Sequence, residues 1–446
     1  MLRDYQLEAI QRLREKFKAG KKSLLLVSPT GSGKTVIASE MVRLATARGN
    51  HVLFLAHRQE LVLQAVSRLQ ANNVAAGIIM ANHKPQNLPV QVASVQTLVR
   101  RNKPRADLII IDEAHHATAG SYKKIIEHYP GAAIIGLTAT PFRLDGGGLG
   151  DLFADSVRVA TIEDLTARGY LVPVRYWAHN TPDMRGIKKA RGDFDLSEFK
   201  TSLLGDPIKS YLSVGQDARA IAFCINVEHS KQLALQFNMA GIPAESLDAN
   251  TPNAERLQSL ADFTSGKIKI LTNCGILGEG YDCPKAEVVI MARPTLSLGL
   301  YLQQIGRALR TADGKTEARI IDHAGNVQRH GFISDVEADL TAGIKKKKQD
   351  KKISVRTCPK CFAVLPGGTK ECIACQFIFP LPKPPKVKAA ALVEITSAWT
   401  PEGKKSPRDF YQYWVKECEL RKWKPGAAAQ RFKAKFGRWP SKNERA

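Results

Sequence analysis

The chain has 446 residues, of which 44% are hydrophobic and 24% charged, so it is long enough for two or three domains and too apolar to be disordered throughout. It has no run of about 18 apolar residues that would span a membrane. Its charged N-terminal stretch is unlike a secretory signal, so we expect a cytoplasmic protein that does not act at a membrane. Its 66 basic and 42 acidic residues give a formal net charge of +24.

Up to about residue 340, short apolar runs alternate with helical patterns, which is typical of parallel α/β folds. The predicted strands cover residues 23–27, 51–56, 91–95, 108–111 and 133–137 in a first set, and 220–224, 268–272, 287–291 and 318–321 in a second. The polar stretch 186–207 between the two sets is interpreted as the connection between two similar α/β lobes.

The composition changes after residue 343, where a lysine run (345–348), a cysteine segment and a proline-rich linker follow one another. Beyond residue 406, aromatic side chains at helical spacing, among them Phe410, Trp414, Phe432 and Phe436, predict a helical hairpin that Gly437 ends. The predicted domains are a first lobe (1–172), a second lobe (173–343), a basic linker (344–357), a cysteine module (358–380), a proline- and lysine-rich linker (381–405) and a basic helical segment (406–446).

The sequence SPTGSGKT, residues 28–35, follows a predicted strand and precedes a helical pattern. Gly31 and Gly33 would let backbone N–H groups point at phosphate oxygens, and the helix N-terminus adds its dipole. Lys34 can then reach the β- and γ-phosphates of ATP, and the Thr35 hydroxyl can bind Mg²⁺. The alternative is a chance glycine-rich turn. The predicted nucleotide-binding residues of this loop are Thr30, Gly31, Ser32, Gly33, Lys34 and Thr35.

The sequence LIIIDEAH, residues 108–115, places two acids at the carboxyl end of an apolar strand. Asp112 would hold Mg²⁺ through water, and Glu113 would orient or deprotonate the attacking water. Two acids at a strand end can instead cap the helix that follows. His116 is expected to be an ordinary surface histidine.

The GSGKT and DEAH sequences, in this order, resemble the motifs of superfamily 2 helicases of the DExH type. The resemblance implies two RecA-like parallel-sheet lobes that hydrolyse ATP between them. It also implies that Arg3 and Gln6 bind adenine, that His57, Arg58, Ser94 and Thr97 contact the nucleic-acid backbone, and that His115, Thr138 and Thr140 couple hydrolysis to lobe movement.

Two further motifs of the family fall in the predicted second lobe. Gly280 and Asp282 lie in the motif that contacts ribose and nucleic acid, and Gln303, Arg307 and Arg310 match Gln-x-x-Gly-Arg-x-x-Arg. The two arginines can face a γ-phosphate held by the opposite lobe and stabilise the charge that develops in phosphoryl transfer. Lobe closure would then complete the site. Alone, this motif would also fit a surface helix.

Within the superfamily the sequence is similar to the bacterial RadD-like family. The shared stretches are Arg-x-Tyr-Gln at residues 3–6, LTATPFR at 137–143 and DHAGN at 322–326. This resemblance implies DNA-stimulated ATP hydrolysis in repair, recombination or replication, in a nucleoid-associated protein. The chain is shorter in the tail than that family, and its last 60 residues have no counterpart there. Phage and prophage helicase-like proteins share this compact plan, so a phage or prophage origin is also an expectation.

Four cysteines form two Cys-x-x-Cys pairs, which is the spacing of a tetrahedral metal site. The predicted ligands are Cys358, Cys361, Cys372 and Cys375. Zn²⁺ is the expected ion, and a single iron would fit the same ligands. The module can serve as a structural link between the ATPase lobes and the tail, or it can contact DNA directly.

The region from residue 345 onward contains 25 basic and 8 acidic residues, and four of the five tryptophans lie in the last 48 residues. Basic side chains neutralise phosphates and exposed aromatic rings stack on bases, so we expect nucleic-acid binding here, with Lys422, Arg431 and Lys435 among the contacts. The alternative is a solvated lysine-rich tail. Trp423 and Trp439 fit either the hairpin core or base stacking.

These observations predict an ATP-dependent translocase or helicase that prefers DNA to RNA and uses ATP, Mg²⁺ and Zn²⁺. One alternative is an RNA-directed DExH ATPase, which would carry the same catalytic motifs. Another is an ATP-switched DNA clamp that recruits a partner without separating strands. A single-stranded-DNA-binding protein, or another replication or repair protein, is the partner expected at the tail.

Overall fold

The computed structural model describes residues 2–84, 86–117, 120–143, 147–178, 182–190, 192–199, 201–278, 283–335, 338–339, 343–344, 355–380, 407–420, 423–424 and 426–445. The chain forms two compact units, Met1–Pro380 and Leu381–Ala446. The predicted fold class is confirmed, because the first unit contains two parallel sheets and the second contains helices. Within the described residues, no helix has the length and apolar character needed to cross a bilayer.

The first lobe is built on a parallel sheet of seven strands. They are β1 (Ser23–Val27), β2 (Val52–Ala56), β3 (Gly77–Ile79), β4 (Val90–Ser94), β5 (Leu108–Ile111), β6 (Ala133–Thr138) and β7 (Asp155–Arg158), in the order β3-β4-β2-β5-β6-β1-β7. Its helices are α1 (Asp4–Lys18), α2 (Lys34–Thr46), α3 (Gln59–Ala71), α4 (Val95–Leu98), α5 (Gly120–Ile126) and α6 (Ile162–Ala167). Helices cover a parallel sheet on both faces, which is why its central strands are continuous apolar runs.

The second lobe has a six-stranded parallel sheet and a short antiparallel hairpin. In chain order the strands are β8 (Val174–Ala178), the hairpin pair β9 (Lys189–Ala190) and β10 (Asp193–Phe194), β11 (Ala220–Cys224), β12 (Ala244–Leu247), β13 (Ile270–Asn273), β14 (Val288–Ala292) and β15 (Ala318–Asp322). The sheet order is β12-β13-β11-β14-β15-β8. The helices are α7 (Pro207–Ser210), α8 (Val227–Met239), α9 (Asn253–Ser265), α10 (Leu298–Gly306) and α11 (Asn326–His330).

All nine predicted strands are present, within two residues of the expected bounds. The four sheet strands that the sequence did not reveal, β3, β7, β8 and β12, are the two edge strands of each sheet. An edge strand has one neighbour and an exposed side, so it carries polar residues that break the apolar run. Two of the four show this, since β7 reads DSVR and β12 reads AESL, whereas β3 (GII) is only three residues long.

The polar stretch 186–207 does not connect the two lobes, because β8 precedes it and already pairs with β15 in the second sheet. The hairpin within it packs on the second lobe instead. Asp193 there accepts hydrogen bonds from the Thr295 hydroxyl (2.8 Å) and the Leu296 backbone N–H (2.6 Å). The interpretation of this stretch as the connection between the lobes is therefore wrong, because a polar loop within one lobe has the same composition as a linker between two lobes.

The cysteine module extends the second sheet at its β8 edge. It contains the hairpin of β18 (Val355–Thr357) and β19 (Val364–Pro366), which follows the short pair β16 (Ala338–Asp339) and β17 (Gly343–Ile344). The Ala178 backbone N–H donates to the Phe362 carbonyl (3.1 Å), and Trp177 pairs with Ala363. The module thus occupies the backbone groups that an edge strand leaves unpaired.

The second unit is a small helical hairpin, as expected from its aromatic spacing. Its helices are α12 (Pro407–Leu420), α13 (Ala427–Phe436) and α14 (Lys442–Arg445). The ring of Phe410 contacts those of Phe432 and Phe436, and Phe432 is fully buried. Gly437 ends α13 in the left-handed conformation (φ 70°), which glycine adopts without steric cost.

Candidate active site between the two lobes

The phosphate loop adopts the conformation that its glycines allow. Gly31 (φ 89°) and Gly33 (φ 85°) both lie in the left-handed region, and α2 begins directly afterwards at Lys34. This geometry directs backbone N–H groups and the start of α2 towards one point, as anion binding requires. Lys34 and Thr35 line the cavity in front of the loop.

The two acids at the end of β5 face this loop. Glu113 has a left-handed backbone (φ 46°, ψ 57°), and its Oε1 lies 3.0 Å from the Lys34 ammonium Nζ. Loss of hydration and the adjacent Glu113 carboxylate raise the pKa of Asp112 to about 6, against the opposing effect of Lys34. Two carboxylates beside one lysine favour a further cation, so Asp112 and the Thr35 hydroxyl fit the chemistry of a Mg²⁺ site.

The N-terminal residues form hydrogen bonds with the backbone of the phosphate loop. The Tyr5 hydroxyl and the Gln6 amide both donate to the Ser32 carbonyl, at 2.9 and 3.1 Å. The Gln6 oxygen accepts from the Arg3 backbone N–H (3.0 Å), and the Arg3 guanidinium lies 4.3 Å from the ring centre of Tyr170. Arg3 and Tyr170 line the cavity, whereas Gln6 and Ser32 are buried behind the loop. Tyr170 was not predicted, because no motif contains it.

The second lobe completes this cavity, which has a volume of about 300 Å³. The predicted site residues that line it are Arg3, Thr30, Gly31, Gly33, Lys34, Thr35, Asp112 and Glu113 from the first lobe and Gln303, Arg307 and Arg310 from the second. Arg307 is buried, and its Nη2 donates to the Gly278 carbonyl (2.6 Å). The structure therefore brings together the predicted catalytic residues of both lobes.

The two lobes touch through the phosphate loop itself. A Cβ atom added to Gly306, at the end of α10, would overlap the Thr30 side chain. A Cβ on Gly31 would lie 3.1 Å from the Arg310 Cγ. Gly306 is thus the residue that lets α10 approach the loop, a role that the motif match alone did not reveal.

His115 lies at the centre of a buried cluster that joins both lobes. Its Nδ1 is 3.4 Å from the Glu113 Oε2 and 3.3 Å from the Thr138 hydroxyl, and its Nε2 is 3.4 Å from the Gln303 amide nitrogen. With Gln303 donating to Nε2, the imidazole proton is on Nδ1 and faces the first lobe. The Thr138 hydroxyl in turn donates to the Thr140 carbonyl (2.8 Å). The three predicted coupling residues are therefore connected.

The residues predicted to contact the nucleic-acid backbone lie at the carboxyl ends of two paired strands. His57 and Arg58 follow β2, whose last residue pairs with Ser94 at the end of β4. Gln96, which was not assigned a role, connects them: its amide accepts from the Ser94 hydroxyl (2.9 Å) and donates to the His57 carbonyl (2.9 Å). Arg58 reaches the second lobe at the Gly275 carbonyl (3.3 Å). Thr97 is partly exposed in α4 beside them.

Three of the predicted site residues, Gly280, Asp282 and Lys422, lie outside the described residues. In the second unit, Arg431 and Lys435 are exposed on α13. The Arg431 guanidinium lies 4.1 Å from the Trp414 ring centre and 4.9 Å from that of Trp423. Trp423 itself stacks on Trp414 with 6.5 Å between ring centres, so it belongs partly to the hairpin core.

The four predicted metal ligands form a cluster whose sulfur atoms all lie within 4.8 Å of one another. The pairs Cys358–Cys375 and Cys361–Cys372 are 3.6 and 3.5 Å apart. Burial opposes ionisation of Cys358, but backbone N–H groups of Cys361 and Lys360 and the neighbouring cysteine sulfurs outweigh it and lower the pKa of this thiol to about 7, whereas burial raises the pKa of Cys361 and Cys375. Four cysteine sulfurs this close together fit the ligand set of a tetrahedral metal ion.

The contact between Gly306 and Thr30 yields a direct prediction. Gly306→Ala places a methyl group where the phosphate loop lies, so it should separate the lobes and lower ATP turnover by about 100-fold, the effect of a small misplacement of catalytic groups. Gly120→Ala is the matched control, because nothing lies within 4 Å of the added atom. Steady-state ATP hydrolysis measures both, and wild-type turnover by Gly306→Ala would contradict the tight lobe contact.

Comparisons with known proteins agree with this geometry. Residues 1–143 match the family model of the type III restriction enzyme res subunit, and residues 204–312 match that of the helicase conserved C-terminal domain. The "51.5 kDa protein" of Lactococcus phage (isolate 7-9) is 36% identical over 380 residues, 83% of this chain and 82% of the phage protein.

Two further matches extend the comparison. The candidate ATP-dependent helicase IRC3 of Saccharomyces cerevisiae is 32% identical over 73% of this chain, which spans about half (52%) of the yeast protein. The fragment structure of a candidate HsdR subunit of a type I restriction enzyme from Vibrio vulnificus YJ016 superimposes with a TM-score of 0.58 at 23% identity, over 74% of this chain and 65% of that one, which shows a shared fold. The chain therefore belongs to the superfamily 2 helicases, which hydrolyse ATP between two RecA-like lobes.

Proposed function

We propose that the chain is a DNA-directed ATPase that uses hydrolysis between its lobes to translocate along DNA, remodel it or unwind it. The observation that carries this proposal is the single cavity in which Lys34 and Glu113 of one lobe face Arg307 and Arg310 of the other. Several relatives are named for action on DNA, among them the DNA 3'-5' translocase XPB2 of Sulfurisphaera tokodaii, which supports DNA over RNA as the substrate.

The ion pair between Lys34 and Glu113 suggests how ATP binding prepares the site. The β- and γ-phosphates compete with the Glu113 carboxylate for Lys34, because they carry more charge and also meet the N–H groups of the loop. Glu113 is then released to accept a proton from the attacking water. Bound Mg²⁺, held by Thr35 and Asp112, would neutralise charge on the phosphate oxygens. Arg307 and Arg310 would stabilise the charge that develops during transfer.

The test is ATP turnover by the purified protein alone and with single-stranded DNA, duplex DNA, a forked junction or RNA, at one fixed salt concentration. We expect DNA to stimulate turnover about tenfold or more, in the range of ordinary coupling energies, and RNA to have little effect. Lys34→Ala, which removes the phosphate contact, is the control and should have no turnover. Stimulation by RNA alone would favour the RNA-directed alternative. DNA-stimulated turnover without movement on DNA or strand separation would favour the clamp.

We also propose that the four-cysteine cluster holds zinc. The module is small, and its core consists largely of the cysteines with Ala363, Leu365 and Phe379, so the metal would supply much of its stability. Its place on the β8 edge supports a structural role beside the second lobe.

Metal analysis of the purified protein should find one zinc per chain. Cys372→Ser, which replaces a fully buried ligand, should abolish that zinc and expose the module to proteolysis. Cys418→Ser lies outside the cluster and should retain the metal. Iron in place of zinc, or full zinc content in Cys372→Ser, would contradict this assignment.

The basic C-terminal part is proposed as a second contact with DNA. Residues 345–446 contribute 25 of the 66 basic residues, and Trp439 is half exposed with the Lys433 ammonium 4.6 Å from its ring centre. The exposed Trp439 ring can stack on an unpaired base, while the Lys433 ammonium beside it can contact the phosphate of the same nucleotide. A phage or prophage origin, a role in genome maintenance and recruitment of a single-stranded-DNA-binding protein through this tail are parts of the same proposal.

Removal of residues 345–446 should weaken DNA binding and flatten its dependence on salt, because each phosphate contact adds about 0.9 to the slope of log K against log salt concentration. Fluorescence anisotropy at several salt concentrations measures this slope. Lys34→Ala in the full-length chain should keep the wild-type slope, since it alters the ATP site alone. An unchanged slope after truncation would mean that the charge of the tail does not contact DNA.

A further inference from the structure

Three histidine rings pack in succession between the end of β2 and the acidic loop after β5. The ring centres of His57 and His116 are 4.4 Å apart, and those of His116 and His115 are 4.2 Å apart. The planes are tilted by 50° and 43°. At these distances the rings are in van der Waals contact, so the middle ring cannot shift without moving its neighbours.

The outer end of this histidine stack (His57, His116 and His115) lies at the strand ends proposed to contact DNA. The His57 carbonyl accepts the Gln96 amide (2.9 Å), and Arg58 follows His57 in the chain. A phosphate that binds here would act on the backbone that carries the first ring of the stack.

The inner end of the stack lies in the hydrolysis site. His115 contacts Glu113, the proposed base, at 3.4 Å, and Gln303 of the second lobe at 3.4 Å. A change in the position or tilt of the His115 ring therefore alters both the aim of Glu113 and the contact between the lobes. The His116 backbone N–H donates to the Glu113 carbonyl (3.0 Å), while its side-chain ring lies between those of His57 and His115.

We propose that His116 is a positioning residue that couples DNA contact at the ends of β2 and β4 to the Glu113–His115–Gln303 cluster, and so carries much of the stimulation of ATP turnover by DNA. This inference rests on the proposed function, since it presupposes DNA-stimulated turnover. The physical basis is a continuous set of packed rings with one end at each site, which is the kind of contact through which two sites are coupled. The position was expected to hold an ordinary surface histidine, and its partly exposed ring lies between those of His57 and His115.

The experiment distinguishes the effect of a planar ring at position 116 from the effect of side-chain volume alone. His116→Phe keeps a flat ring between His57 and His115, whereas His116→Leu fills the space without one. His128→Leu is the matched control, because His128 is another first-lobe histidine packed on a ring, that of Tyr129 at 5.0 Å, away from the site. For each variant we would measure basal turnover, turnover with saturating single-stranded DNA, DNA affinity and thermal unfolding.

We expect His116→Leu to keep basal turnover within about twofold of wild type and to lose at least about fivefold of the stimulation by DNA, the lower range of measured coupling energies. DNA affinity should change little, because the strand-end residues remain. His116→Phe should keep at least about half of the stimulation, and His128→Leu should match the wild type. If leucine prevents folding, His116→Ala takes its place with the same expectations.

Full stimulation in His116→Leu would overturn the inference. An equal loss of stimulation in His116→Phe and His116→Leu would also overturn the inference, because a ring at position 116 would then not be what couples DNA contact to ATP turnover. Equal losses of basal and stimulated turnover would also overturn it, since His116 would then support the hydrolysis site itself. No stimulation of the wild-type protein by any DNA would be a different result, which contradicts the proposed function.

Discussion

The close approach of α10 to the phosphate loop is the contact on which the rest of the site depends. It is possible because Gly306 has no side chain where Thr30 lies, and because Gly31 leaves room for the stem of Arg310. Through this contact, residues from two separate sheets line one cavity. Any movement that separates the lobes withdraws Gln303, Arg307 and Arg310 together. ATP chemistry and lobe geometry are thereby linked by packing, and no additional device is needed.

The same arrangement places the charged side chains of Lys34, Asp112 and Glu113 next to one another in the cavity. Lys34 forms an ion pair with Glu113, and the raised pKa of Asp112 means that this carboxyl holds its proton more tightly than an exposed aspartate would. The phosphates of ATP would take the place of Glu113 beside Lys34, and a divalent ion would bind at Asp112. ATP binding would thereby free the Glu113 carboxylate to act as a base. His115 adds a third partner for Glu113 and ties it to Gln303 of the second lobe. One imidazole thus contacts both the proposed base and the second lobe.

Much of this arrangement could be predicted from the sequence, because the interior strands and the phosphate loop have local signatures. The nine interior strands are apolar runs, and the glycines of GSGKT have the left-handed backbone that the motif requires. Among the edge strands, β7 and β12 escaped detection because polar residues interrupt them, and β3 because it has only three residues. Gln96, Tyr170, Gly306 and His116 escaped because their roles arise from contacts with residues distant in the sequence. No local pattern records such contacts.

The distance between the lobes in each nucleotide state tests most directly whether lobe closure completes the site. Spin labels carried by non-natural residues at Leu63 on α3 and Leu257 on α9, which are both exposed, would report it, since Glu60 and Arg256 of these helices form an ion pair of 3.3 Å across the lobes. A non-hydrolysable ATP analogue with DNA should give one narrow, short distance distribution, and ADP a longer and broader one. The same distribution in every state would contradict a site that is completed by lobe closure.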